Sequence, residues 1–189
     1  MTASLPYRIA TLIFMEHADG RQLLLQRRKA PNQGLWTPIG GKLETSVGES
    51  PVQCAVREVR EEAGVHIQES ELHLFGYLAE KAYEHECHWL IFLFHCHQKL
   101  HSLPEAMDEG SFAFHARQEL HHLPMAQPDR EILWPTYWKH RDGFTGIRVE
   151  YHDLNHNPQP FTITIESGSQ ANLAAPGTKP RKGPQDNRS

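Results

Sequence analysis

Between Gly40 and Val65 the chain reads GGKLETSVGESPVQCAVREVREEAGV, a glycine-containing loop running into a short helix with a marked start and a marked end. Ser50 is a good N-cap, Pro51 suits the first helical position, Gln53 completes a capping box, and Gly64 is placed to end the helix in the left-handed conformation. The helix is therefore predicted to run from Pro51 to Ala63. Val52, Ala55, Val56, Val59 and Ala63 recur at helical intervals and form the stripe that must bury against a core. On the other side Glu58, Glu61 and Glu62 fall within about one third of the circumference. Like charges at that spacing repel, so the cluster needs a reason. Hard oxygen ligands of this kind suit Mg²⁺ or Mn²⁺, which in turn hold phosphates. Ahead of the helix, Gly40 and Gly41 permit a close backbone approach that would offer an amide or carbonyl to a metal or phosphate.

The segment resembles the Nudix box: a glycine, five residues, a glutamate, seven residues, then Arg-Glu-hydrophobic-x-Glu-Glu-x-Gly-hydrophobic. Its second half matches in full, from Glu49 through Arg57, Glu58, Val59, Arg60, Glu61, Glu62, Ala63 and Gly64 to Val65. The first half departs, with seven residues between Gly41 and Glu49. We read this as a two-residue lengthening between Glu44 and Gly48, where Thr45, Ser46 and Val47 stand for one residue of the pattern. A loop tolerates it because closure depends weakly on length. Gly34-Leu35-Trp36-Thr37-Pro38-Ile39 also resembles the stretch ahead of the box in nucleotide-cleaning members.

A chain of 189 residues can bury one sizeable core, and its net charge of −4 argues against a general nucleic-acid surface. No run near 18 apolar residues occurs and MTASLPYR lacks a signal peptide's apolar stretch, which predicts a cytoplasmic protein with no membrane partner. Cys54, Cys87 and Cys96 are odd in number and widely spaced, so a disulfide framework is not expected. His85, Cys87, His88, His95, Cys96 and His97 raise zinc. Neither spacing matches a finger or ribbon, and strand alternation sends Cys96 to the face opposite His95 and His97.

Along the chain, Arg8–Met15 and Gln22–Gln26 flank a turn and suggest a β-hairpin, with His73–Ala79, His88–Cys96 and Ser111–His115 as further strands. Gln118–Leu123 is a short helix candidate. Pro128–Trp138 is a longer terminal helix interrupted by Pro135. Strands and helices in this order give an α+β chain, and the order resembles the Nudix fold, a mixed β-sheet between helices in an α/β/α sandwich, over about residues 7–140. A β-hairpin at 143–166 is expected to follow within a domain spanning 1–167. Residues 168–189 read as a disordered tail. There Lys179, Arg181, Lys182 and Arg188 face Asp186, leaving +3 on the tail and −7 on the rest.

The resemblance implies that Glu58, Glu61 and Glu62 bind Mg²⁺ or Mn²⁺, with the Gly41 carbonyl completing the set and Arg57 and Glu49 orienting it. Catalytic proton transfer falls to Glu58, Glu61 or a later-loop glutamate, for which Glu109 is chosen over Glu105 and Asp108. Arg27 and Lys29 could contact phosphates. Trp36, Phe112 and Trp134 could stack on a base, although such residues more often lie in a core. The implied function is a Mg²⁺-dependent hydrolase of a nucleoside diphosphate linked to another moiety, foremost a nucleoside triphosphate, oxidised ones included, giving the monophosphate and pyrophosphate. Its partner is a small nucleotide, and a homodimer is compatible with this reading. ADP-ribose, dinucleoside polyphosphates and nucleotide sugars are alternative substrates, a catalytically silent ligand sensor is the rival from another class, and a prenyl-diphosphate isomerase ranks below both.

Overall fold

The computed structural model describes residues 5–30, 32–83, 87–105, 108–152 and 161–168. Eight strands form one mixed sheet: β1 (Tyr7–His17), β2 (Gln22–Arg27), β3 (Trp36–Thr37), β4 (Leu72–Tyr83), β5 (Cys87–Leu100), β6 (Gly110–His115), β7 (Thr145–Tyr151) and β8 (Phe161–Gly168). Their order across the sheet is β3-β2-β1-β5-β4-β7-β8, with β6 on β2. Helix α1 (Pro51–Ala63) covers one face. On the other lie a π-helical turn (Asp129–Leu133) and α2 (Trp134–His140).

Each face buries its own core, as the apolar alternation of the central strands requires. Ile13, Met15, Phe94 and Cys96 pack against Ala55, Val59 and Ala63 of α1, while Phe14, Phe75, Leu78 and Leu93 pack against Ile132, Leu133, Trp134 and Tyr137. This is the expected sandwich. The second core is fastened by a buried polar group, Glu16 of β1. It accepts hydrogen bonds from Gln22 Nε2 (3.0 Å), Tyr137 Oη (2.8 Å) and Arg141 Nη1 (2.6 Å), and it also pairs with Lys99.

Three sequence expectations need correction. The β1–β2 hairpin pairs at Glu16↔Gln22 and then splays, because β3 takes the edge of β2 at Leu25 and Gln26. The chain then crosses to β1, where Ile39 and Lys42 bridge to Ile13 and Ala10. The 118–123 helix shrinks to a 3-10 turn, Leu120–His122. Pro135 does not interrupt the terminal helix; it sits in the first turn of α2, where its missing N–H costs little. The hairpin expected at 143–166 is present as the antiparallel pair β7 and β8, and it is joined to the main sheet. β7 pairs in parallel with β4 from Gly76↔Thr145 to Lys81↔Glu150, and its Ile147 and Val149 are buried in the second core. The turn expected at 152–159 lies, past His152, outside the described residues, as does the tail expected at 168–189 past Gly168.

Candidate active site

Helix α1 begins as its sequence dictates. Ser50 Oγ accepts from Gln53 N–H, Gln53 accepts from Ser50 N–H, and Gly64 closes the helix at φ 64°. Its acidic face meets the 36–42 segment. Gly41 carbonyl accepts from Thr11 N–H at 2.9 Å, tying that residue to β1. Backbone alternation then turns Gly40 the other way, and its N–H donates to Glu62 Oε2 at 3.2 Å. A Cβ on Gly41 would collide with the Glu58 carboxylate, and one on Gly40 would lie 3.0 Å from Leu12 Cα. At Gly40 the backbone of β1 forbids a side chain, with Thr11 O 2.1 Å from such a Cβ, whereas at Gly41 the obstacle is the movable end of the Glu58 side chain.

Arg57 organises the acids. Its Nε and Nη2 hold Glu49 at 2.8 and 3.0 Å, its Nη1 donates to Glu58 at 2.8 Å and Glu61 at 3.0 Å, and Nη2 also reaches Lys42 carbonyl at 3.1 Å. Glu49 in turn accepts from Glu44 N–H, which anchors the loop ahead of the helix, a 3-10 turn over Thr45–Val47. Hydrogen bonding from Arg57 lowers the Glu49 pKa despite partial burial. Burial raises that of Glu58 in spite of Arg57, and burial together with the Glu58 charge pushes Glu62 up to about 7 although Gly40 N–H lowers it. Negative charge is therefore held here at a cost.

Do these residues fit a divalent cation? The donors are all hard oxygens, and two of the carboxyls carry a burial penalty that a cation would offset. They fit. Among the described residues no three His, Cys, Asp or Glu side chains already converge on one point, since Arg57 draws Glu58 and Glu61 aside while Glu62 faces Gly40. Glu58 and Glu61 would have to swing off Arg57 to ligate.

Glu109 immediately precedes β6, where Arg27↔Gly110 pairing brings it to the same end of the sheet, and its charge and that of Arg27 both act on Glu62. Its carboxylate is paired with Lys29 Nζ at 2.8 Å. Glu105 and Asp108 are exposed. Phe112 and Trp134 are core residues, whereas Trp36 is half-buried with its ring edge-on to His115.

The sequence reading missed a second group beside Gly40. On the face of the sheet opposite α1, Leu12, Trp36 and Ile91 are only partly buried. Asp129 opens the π-helical turn over this face, where burial and the neighbouring Glu80 charge push its carboxyl up to about 7, against a hydrogen bond with Thr37. Glu80 is itself buried and accepts from Tyr151 Oη at 2.6 Å. The signal was present in β4, where Glu80 shares the inward face of Leu78; Asp129 looked like an ordinary acid at a helix start.

The site is thus an acidic helix clamped on a glycine strand, at one end of a mixed sheet between helices. Residues 6–134 match the family model described as NUDIX domain, and the chain belongs to the Nudix hydrolase family. Members typically depend on a divalent metal. An uncharacterized Nudix hydrolase, YvcI of Bacillus subtilis, is 35% identical over 77 residues, 40% of this chain and 46% of that protein. The match thus spans about half of the relative. Among solved structures, the MutT protein of Bacillus halodurans superposes with TM-score 0.64 at 23% identity, covering 84% of this chain and 97% of that one. The NUDIX domain of Shewanella oneidensis NrtR, complexed with ADP ribose, gives 0.58 at 16%, covering 72% and 88%. These two share the fold. No helix among the described residues is long and apolar enough to cross a membrane.

Proposed function

We propose that the chain hydrolyses a nucleoside triphosphate to the nucleoside monophosphate and pyrophosphate, with Mg²⁺ or Mn²⁺. The observation that carries this reading is the adjacency of two unlike surfaces across Gly40: the carboxylates of α1 on one side, and on the other an apolar floor of Leu12 and Ile91 flanked by Asp129, Thr37 and Glu80. The first suits a diphosphate, the second a flat ring with N–H donors at its edge. A bound divalent cation would neutralise the phosphates and acidify a water. Glu58, Glu61 and Glu62 would hold it, with Arg57 and Glu49 fixing their approach. Glu109, released from Lys29, takes the proton from the attacking water. The sequence offers no Walker-type loop for terminal phosphate transfer, which favours attack at an inner phosphorus.

The intact Glu58, Glu61 and Glu62 set disfavours a silent sensor. ADP-ribose hydrolysis is the second reading, supported by the fold shared with the NrtR domain whose complex holds that ligand. A screen over nucleoside triphosphates, ADP-ribose, dinucleoside polyphosphates and nucleotide sugars, with Mg²⁺ or EDTA, separates these readings. Ion chromatography is expected to find pyrophosphate as the first inorganic product of a triphosphate and no turnover in EDTA; orthophosphate first, or turnover that EDTA leaves intact, overturns the mechanism.

A further inference from the structure

Strand β8 ends the sheet, yet its residues alternate as in a strand with one face to bury. Opposed residues of paired strands point to the same face, so Phe161, Ile163 and Ile165, which stand against Tyr151, Val149 and Ile147 of β7, carry the apolar face of the second core one strand further. The core itself stops short of them. Val149 and Ile147 are buried, whereas Ile163 is 41% and Ile165 57% exposed. From Phe161 to Ile165 the strand reads FTITI, with every residue β-branched or aromatic, no charge and no proline. Charges and prolines ordinarily keep a sheet edge from pairing, and this stretch has neither. The strand's bulge falls at Glu166, between the Ile147↔Ile165 and Gly146↔Ser167 pairs, so Phe161–Ile165 is regular. Residues 169–189 offer one large apolar side chain, Leu173, too little to cover the strip.

We propose that this edge is where two copies of the chain join, β8 against β8, antiparallel across a two-fold axis through Ile163. The register follows from the pattern. Keeping the apolar faces of both sheets on one side requires apolar opposite apolar, and centring the pair on Ile163 uses the whole regular stretch: Ile163 meets the partner's Ile163, Phe161 meets the partner's Ile165, and Thr162 meets the partner's Thr164. The stretch is its own complement. Each chain carries −4, but no like charges oppose within the pair, because Glu166 falls outside it. The strands contribute aromatic against β-branched and β-branched against β-branched pairs on the face where the core is open. One strand pair buries less than the roughly 1,200 Å² at the lower end of standard interfaces. The dimer is therefore weak, with Kd on the order of 10–100 μM.

Sedimentation velocity on the full chain, from about 1 to 300 μM, should show a reversible shift from monomer to dimer. Salt should not weaken it, since no ion pair is used. Over the same range hydrogen exchange should slow at Phe161–Ile165 as concentration rises. Ile163→Lys sets two charges face to face on the axis and is expected to leave the chain monomeric with its melting temperature unchanged. Ile163→Cys should cross-link to itself under mild oxidation, because opposed Cα atoms stand about 4.5–5.5 Å apart, within disulfide reach. Thr164→Cys should not, being on a diagonal of about 7–8 Å; the three native cysteines are buried. A chain that stays monomeric throughout overturns the proposal, as does a dimer that survives Ile163→Lys or cross-links equally well through Thr164→Cys. Exchange already slow in the monomer at the lowest concentration would mean that the chain's own residues cover the strip, which also refutes it. Should Ile163→Lys fail to fold, sedimentation and exchange of the parent chain still decide.

Discussion

Glu62 and Glu16 are both buried carboxyls with opposite energetics. Glu62 is pushed from 4.5 up to about 7, mainly by burial. An acid raised in this way destabilises the fold once ionised, so Glu62→Gln is expected to keep or raise the melting temperature at pH 8. If the carboxylate ligates the metal, turnover should fall on the order of 100-fold. Near-normal turnover of the folded variant at saturating Mg²⁺ would remove Glu62 from the site. Glu16 goes the other way: burial would raise it, but hydrogen bonds from Lys99, Gln22 and Tyr137 hold it at about 2 against an ordinary 4.5. The stability it supplies is complete above pH 4.5 and is lost as pH falls towards 2. Its cationic partners are partly exposed, which screens the gain, so Glu16→Gln should cost on the order of 2 kcal/mol at pH 7, or about 4–8 °C in Tm. Melting curves from pH 7 to 2 should fall less steeply for the variant than for the parent chain; parallel curves would refute the assignment.

At the scale of elements, α1 was fully legible because everything that defines it is local: Ser50, Pro51 and Gln53 start it, Gly64 stops it, and its apolar stripe is the stripe found buried. The loop ahead of it folds as a 3-10 turn over Thr45–Val47, with Glu49 holding the Glu44 N–H. What the sequence did not disclose is non-local. Nothing in Arg8–Met15 says that its partner is β5 and not β2, and nothing near Asp129 points to Thr37 or Glu80, which the fold brings from other elements. Two glycines separate the helix's stability from the site it serves. Gly64→Ala puts a side chain at φ 64° and should cost roughly 1 kcal/mol without changing kcat in a folded sample. Gly41→Ala drives a methyl against Glu58, and kcat is expected to fall at least about tenfold with little loss of Tm. Equal kcat in the two variants would mean that the Glu58 position does not matter to the chemistry.

For the whole molecule, the family match ends at residue 134, but the sheet does not. β7 hydrogen-bonds along β4 and buries Ile147 and Val149, and its Tyr151 donates to Glu80 beside the recess. A chain stopped after Asp142 should therefore lose its cooperative thermal transition in circular dichroism, because the edge of β4 and the core contacts of Ile147 and Val149 are opened together. A transition within about 4 °C of the full chain would show β7 to be dispensable. The parallel pairing of β1 with β5 has a different consequence, in time. Tyr7 pairs with His88, so at about 5–20 residues per second the first strand waits roughly 4–16 s on the ribosome before the strand that fills its edge has been made. During that interval the early chain can form α1 but not the sheet, and the run from Ile9 to Met15 is the stretch a nascent-chain chaperone would have to shield.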